Sequence, residues 1–415
     1  MAFPKDLMYR KFQLYGFLKN LRFFDPFIIL FFREMGLSFL QIGILYSIRE
    51  ISTNILEIPT GVIADSFGRR KAMLLSFSSY LLSFLLFYAF HHFWVYSLAM
   101  VAFAFGETFR SGTHKAMILE YLRMKGMEGE KVSYYGHTRA ASQFGSAIAS
   151  LIAASLVFYA GSFRIVFLAS TVPYVLALAL LASYPRELDG KGSPIGRRRI
   201  SRLIETGREF IAFLRDPPLL RGLFSSAAFD AAFKSTKDYL QPILKSQALA
   251  IPILLSLDGD RRVAIVVGGL YFLIYIATSF ASSRAGALER RLPSLSHAVN
   301  ITYLIGLGLL AGAGAAAWGG IPGIAIAAYL GVYALQNVRR PLIVGYLSER
   351  MPHRTMATGL SVESQLKTIL MAALAPLIGL LADRLGVGPA IGIIAIGGIS
   401  LIPLVSVREK DGGQG

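Results

Sequence analysis

The 415-residue chain contains no cysteine, which excludes a disulfide framework and a thiolate-ligated metal site and leaves the redox compartment unreadable. It lacks a G-x-x-x-x-G-K-[ST] phosphate loop and any second soluble stretch long enough for an ATPase. Transport driven by ATP hydrolysis within this chain is therefore not expected. H-E-x-x-H and G-x-S-x-G are absent too, no catalytic pattern emerges, and neither enzymatic activity nor a cofactor is expected. His91 and His92 have no clustered third ligand nearby, so they read as an interfacial turn rather than a metal site. The N-terminal MAFPKDLMYRKFQLYGF has no small-residue cleavage site after an apolar core and reads as retained.

What the chain does have is apolar length. It is 54% hydrophobic with a mean hydropathy of +0.54, far too apolar for a soluble domain of this size. A bilayer-spanning helix needs about 20 mostly apolar residues. Apolar runs and loop signals predict about twelve of them, near 11–32, 39–62, 71–90, 94–121, 133–160, 163–183, 218–247, 262–284, 295–316, 321–348, 356–383 and 388–407. The formal charge of +17 sits largely in short connections between these runs, which argues against nucleic acid. Alternate connections carry the cations: Arg69–Lys71; Arg123, Lys125 and Lys131; Arg197–Arg199; Arg284, Arg290 and Arg291; Arg350 and Arg354. The positive-inside rule then places both termini on the cytoplasmic side of a cell (inner or plasma) membrane.

The longest connection, Pro185–Pro218, divides the chain into six-helix bundles over 1–184 and 218–415, joined by a linker over 185–217. Asp189, Gly190, Gly192, Ser193, Pro194 and Gly196 are linker-like in composition. Ile200, Leu203, Ile204, Phe210, Ile211 and Leu214 interleave with Arg198, Arg202, Arg208 and Arg215. This reads as an amphipathic helix on the inner membrane surface, with a soluble helix on the loop ends as the alternative.

Between the second and third runs lies GVIADSFGRRK. Gly61 lets a neighbouring helix approach, Asp65 is the loop's only carboxylate, Gly68 permits a sharp reversal, and Arg69, Arg70 and Lys71 anchor the cytoplasmic side. The stretch resembles the signature loop of the major facilitator superfamily, G-x-x-x-D-[RK]-x-G-R-[RK], with Ser66 departing where a basic residue is usual. The resemblance implies an all-α membrane protein with twelve transmembrane helices in two pseudo-symmetric six-helix bundles. GLLADRLG, Gly379–Gly386, repeats Gly, Asp and Gly at the same offsets. In a fold of nested inverted repeats it corresponds to the first copy, on the opposite membrane face.

Ionisable residues inside a membrane mark a pathway by default. Tyr15, Lys19 and Arg22, then Asp25, form one stripe; Glu50, Asn54 and Glu57, with Arg49 alongside, form another. Glu107, Arg110 and His114, followed by Lys115, form a third, and Asp230, Lys234, Lys237 and Gln241 a fourth. Ion pairs such as Arg49–Glu50, Asp230–Lys234 or Glu363–Lys367 that merely lock helices are the competing reading for any single stripe. In the superfamily the chain resembles, helices 1, 4, 7 and 10 line the substrate cavity, and helix 10 here adds Gln336, Asn337, Arg339 and Arg340. FGETFRSGTHKAMILEYL resembles the helix 4 motif of drug exporters, with Arg110 at the Arg position and looser glycine spacing. Gly145, Ser146 and Ala147 stand where antiporters carry Gly-Pro.

These readings define expectations. The chain is a monomeric secondary transporter embedded in membrane lipid, driven by a proton gradient and leaning to efflux. Its solute is a small organic molecule, anionic, zwitterionic or amphiphilic, because cations outnumber acids among the mid-membrane groups. Tyr15, Lys19, Arg22, Arg49, Arg110, His114, Lys234, Lys237, Gln336 and Arg340 are the expected substrate contacts. Glu107, then Asp25, Glu50 and Asp230, are the expected proton carriers. A lipid flippase or scramblase on the same fold and a non-transporting ligand sensor are the alternatives.

Overall fold

In hydrocarbon the backbone must satisfy its own polar groups, so apolar runs of this length fold as helices. A computed structural model describes residues 5–189, 216–254, 256–289, 293–351 and 356–408, and among them every regular element is helical. The first predicted span is α1 (Leu7–Leu18) and α2 (Ile28–Glu34), followed by α3 (Phe39–Phe67) and α4 (Arg69–Ala89). Next come α5 (Phe93–Arg110), α6 (Thr113–Met124), α7 (Lys131–Ala160) and α8 (Ile165–Ala182). Past the connection run α9 (Pro217–Thr236), α10 (Leu240–Ala250), α11 (Gly259–Glu289) and α12 (Leu295–Trp318). The chain closes with α13 (Pro322–Arg350), α14 (Met356–Leu385), α15 (Val387–Ser400) and the short α16 (Ile402–Val405).

Besides the twelfth, which is split at Leu401 between α15 and α16, three spans expected to be continuous are broken. The first is interrupted between Leu18 and Asp25, where Pro26 has no N–H to donate to the carbonyl of Arg22 four residues earlier. The fourth breaks between Arg110 and Thr113, because Ser111 is extended and Gly112 takes φ +77°. The seventh tightens to a 3-10 turn at Lys237–Tyr239, just where Pro242 would clash with the carbonyl four residues earlier. In contrast, the expected loop at Gly61–Lys71 is almost all helix: α3 runs to Phe67, α4 starts at Arg69, and Gly68 alone, at φ +99°, makes the turn. The expected amphipathic helix over 200–215 lies outside the described residues.

Among the described residues, six helices are long and apolar enough to cross a membrane: Arg69–Ala89, Gly136–Ala160, Ile165–Ala182, Gly259–Phe280, Leu295–Trp318 and Gly359–Leu385. The other spans are the three broken ones, the charged helices α3 and α13, and α15, which has only 14 residues.

The described residues form two compact units. One takes in those of Met1–Leu37, Ile48–Ile200 and Ala248–Tyr275; the other takes in those of Ser38–Ser47, Ser201–Gln247 and Ile276–Gly415. Helix α3 thus contributes its first turns to the second unit and the rest to the first. The first unit packs on aromatics: Phe24 stacks on Phe167 at 5.5 Å, and Phe84 meets Tyr174 edge-on at 4.9 Å. The second unit packs instead on small residues. A Cβ on Gly314 would lie 2.6 Å from the backbone nitrogen of Gly392, so α12 and α15 touch backbone to backbone.

Candidate substrate site

The breaks place the charges. In the first unit, Tyr15 lies on α1, Lys19 and Arg22 in the break after it, and Glu107 and Arg110 at the end of α5. His114 opens α6. Broken backbone at membrane depth is tolerated where it is buried in protein or lines a cavity. Here the carbonyl of Lys19, freed by the end of α1, accepts a 3.1 Å hydrogen bond from the Tyr174 hydroxyl of α8.

Glu107 is the centre of the cluster. Its Oε2 accepts from Arg22 Nη2 at 3.3 Å and from the Tyr80 hydroxyl at 2.6 Å, and its Oε1 pairs with Arg110 Nη2. Arg110 Nε donates to the Tyr80 oxygen at 3.1 Å, so Tyr80 relays between acid and base. The Tyr15 ring stacks on the His114 ring at 3.7 Å and 18°, and Lys19 Nζ stands 5.8 Å over Tyr15. Two guanidinium groups therefore share the Glu107 carboxylate, with Lys19 close by. Arg22 Nε is buried with no hydrogen-bond acceptor among the described residues. The side chains of Arg22, Glu107 and Arg110 keep 24%, 32% and 18% of their exposure, so solvent or a solute reaches them.

The second unit has its own polar cluster. Asp230 on α9 accepts from Gln336 Nε2 of α13 at 2.7 Å and faces Lys367 Nζ of α14 at 4.0 Å. Glu363 does not pair with Lys367; it accepts from the Ser226 hydroxyl at 2.9 Å. Lys237 pairs with Asp238, which also accepts from the Tyr46 hydroxyl at 3.1 Å. Lys234 is half-buried on α9, Gln241 is fully buried and Arg340 is exposed. Arg339 is enclosed: it donates to Val299 O, Thr302 Oγ1 at 3.0 Å and Ser225 Oγ at 2.8 Å, and lies 4.8 Å over Phe229. It clamps α9, α12 and α13 together instead of offering its charge.

Of the remaining predicted residues, Asp25 lies close enough to Arg22 for their charges to interact. Arg49 Nη2 pairs with Glu50 at 2.8 Å on α3, and Asp25, half-buried, opens the 3-10 turn after the first break. Gly61 lies inside α3, and the Asp65 side chain lies outside the described residues. Arg69 Nη1 is 3.9 Å from Glu120, and Arg70 donates from its backbone nitrogen to Asp189 at 2.6 Å and from Nη1 to Tyr184 O at 3.2 Å. Tyr80, Tyr174, Lys367 and Asp189 complete these networks and were not singled out from sequence as site residues. Tyrosines among many packing aromatics carry no distinguishing signal, and Asp189 sits in a stretch of linker-like composition.

Helices broken at clustered charges, set among apolar spans, define the class as a polytopic membrane transporter. The model of the Major Facilitator Superfamily matches residues 19–364, and the chain belongs to that family. An uncharacterized MFS-type transporter of Bacillus subtilis (strain 168), YxaM, is 32% identical over 90 residues, 22% of this chain and 23% of that protein. The matched stretch thus spans about a quarter of that relative's length. Among solved structures, a variant of the nucleoside transporter NupG superposes with a TM-score of 0.79 at 11% identity, covering 97% of this chain and all of that one. A D-xylose–proton symporter gives 0.70 at 14% identity over 98% of each chain. A peptide transporter of the POT family gives 0.66 at 14% identity over 97% and 95%. At such identities the likeness establishes the fold, not the solute.

Proposed function

We propose that this membrane transporter is proton-coupled and moves a small organic solute bearing a carboxylate or phosphate by alternating access. The observation that carries the reading is the surplus of cation in the first unit, where Lys19, Arg22 and Arg110 stand at the breaks of two helices with Glu107 and Asp25 as the acids beside them. Arginine grips a carboxylate or phosphate with two parallel hydrogen bonds, which lysine does not. The same cluster supplies a coupling device. A proton on Glu107 cancels the charge that Arg22 and Arg110 now neutralise, and both guanidinium groups become available to a solute anion.

That chemistry makes proton and anion bind together, which under an inward proton gradient carries the solute inward. The likeness of the fourth span to exporters argues for the opposite direction, and the assay separates the two. The carrier is proposed to work as a monomer in an inner or plasma membrane, with both termini cytoplasmic, as the alternation of basic connections argues.

The test is purified protein in liposomes holding a pH-sensitive dye, offered small mono- and dicarboxylates, amino acids and organic phosphates. Anion-dependent proton movement that fails in Arg110→Lys supports the reading, and co-directional flux supports co-binding. Preference for organic cations, or solute movement without protons, refutes it.

A further inference from the structure

The second copy of the signature motif holds a contact that the substrate site does not use. Asp383, at the end of α14, accepts hydrogen bonds from the backbone nitrogens of Phe39 at 2.9 Å and Leu40 at 2.8 Å, the first residues of α3. The opening of α3 is otherwise complete. Ser38 Oγ accepts from Gln41 N at 3.1 Å, and Gln41 Oε1 accepts from Ser38 N at 2.9 Å, a reciprocal capping box. Asp383 takes the two donors that this box leaves over, and adds negative charge at the positive end of the helix.

The backbones are built to meet there. A Cβ on Gly379 would lie 2.3 Å from Phe39 O, and one on Gly43 would lie 2.1 Å from Ala375 O. Ser47 Oγ bonds to Ala372 O, one turn further along both helices. The two copies of the motif also match in conformation. Gly68 takes φ +99° and Gly386 φ +93°, and each is followed at once by a new helix. Contacts made by α3 up to Ser47 belong to the second unit, and from Ile48 onward to the first.

We propose that Asp383 is a releasable latch. It caps α3 in the state seen here and lets go when the first turns of α3 leave α14. Because α3 carries its own capping box, those turns remain helical after release. Because Asp383 is exposed, water replaces its carboxylate at the two amides. The device is therefore stable enough to favour one state and weak enough to open. The part it plays in transport rests on the alternating-access reading; the docking itself does not.

The test uses the absence of native thiols. Single cysteines are introduced by Ser47→Cys, buried on the docked face of α3, and by Ala99→Cys, buried within the first unit as a control. Modification by N-ethylmaleimide is timed in detergent, with and without Asp383→Asn. Loss of a charged acceptor shared by two amides is expected to raise the Ser47→Cys rate about tenfold and leave Ala99→Cys unchanged. Gly379→Ala, which pushes the backbones apart without touching the carboxylate, is expected to do the same. An unchanged Ser47→Cys rate in both variants, or equal increases at both thiols, overturns the latch. No solute is needed, so this result is read separately from the liposome assay.

Discussion

Replacing Glu107 by Gln takes one negative charge from a cluster that holds Lys19, Arg22 and Arg110 and removes the carboxylate that both guanidinium groups share. Glu107 accepts from both guanidinium groups and from Tyr80, and its side chain is two-thirds enclosed. A net hydrogen bond to a charged group contributes about 1.5–3 kcal/mol. The amide oxygen of Gln keeps part of this and its amide nitrogen opposes the rest, so Glu107→Gln is expected to destabilise the protein by about 3 kcal/mol. Arg110→Gln removes the same pair from the other side and leaves Glu107 with Arg22. The double variant carries one cation and one anion fewer. If the pair is a unit, the coupling between the two changes is about 1–3 kcal/mol. The assay is unfolding in detergent by urea for the four proteins of the cycle. Additive losses would refute the shared cluster. Solute binding measured on the same set reads a different quantity. If Arg110 only neutralises Glu107, the double variant regains binding as it regains stability. If Arg110 grips the solute, stability returns and binding does not.

Three further outcomes are expected. Arg339→Met keeps most of the volume but strips donors from Val299 O, Thr302 and Ser225; a loss of about 3 kcal/mol is expected in the same unfolding assay, from buried acceptors left bare. Asp189→Ala uncovers the first amides of α4 at Arg70 and is expected to cost about 0.5–2 kcal/mol, as loss of a helix cap does. Gly68→Val forces a β-branched residue to φ +99° and is expected to reduce yield of folded protein on size-exclusion chromatography more than Asp65→Asn, which is expected to fold but to slow transport.

Much of the fold was legible because a membrane span leaves a plain trace: about 20 apolar residues with cations at one end. The repeat of Gly, Asp and Gly was legible too, and Gly386 matches Gly68 in backbone angle. What stayed hidden was any feature set by contact rather than period. The stripe rule puts Tyr15, Lys19 and Arg22 on a single helical face, yet the helix ends at Leu18, and Arg22 reaches Glu107 from irregular backbone. Arg339 and Arg340 are adjacent in sequence and both basic, but one is sealed among neutral acceptors and the other is exposed. Nothing in the sequence separates them, since Ser225, Val299 and Thr302 lie 114, 40 and 37 residues away.

The breaks explain why the charges are tolerated where they are. A continuous helix consumes its own donors and acceptors and presents only side chains, so a lysine or arginine on it must find a partner through its tip. Where α1 stops at Leu18 and α5 at Arg110, the regular backbone ladder ends beside the charges, and polar neighbours take up groups it no longer pairs. Tyr174 serves the Lys19 carbonyl while Tyr80 serves Glu107 and Arg110. The sequence signals for this are Pro26 and Gly112, each next to a charged stripe, and Pro242 just after Lys237 and Asp238. A proline or glycine within a few residues of intramembrane charge therefore carries more information about the site than the charge alone. It marks where backbone polar groups as well as side chains are presented at membrane depth.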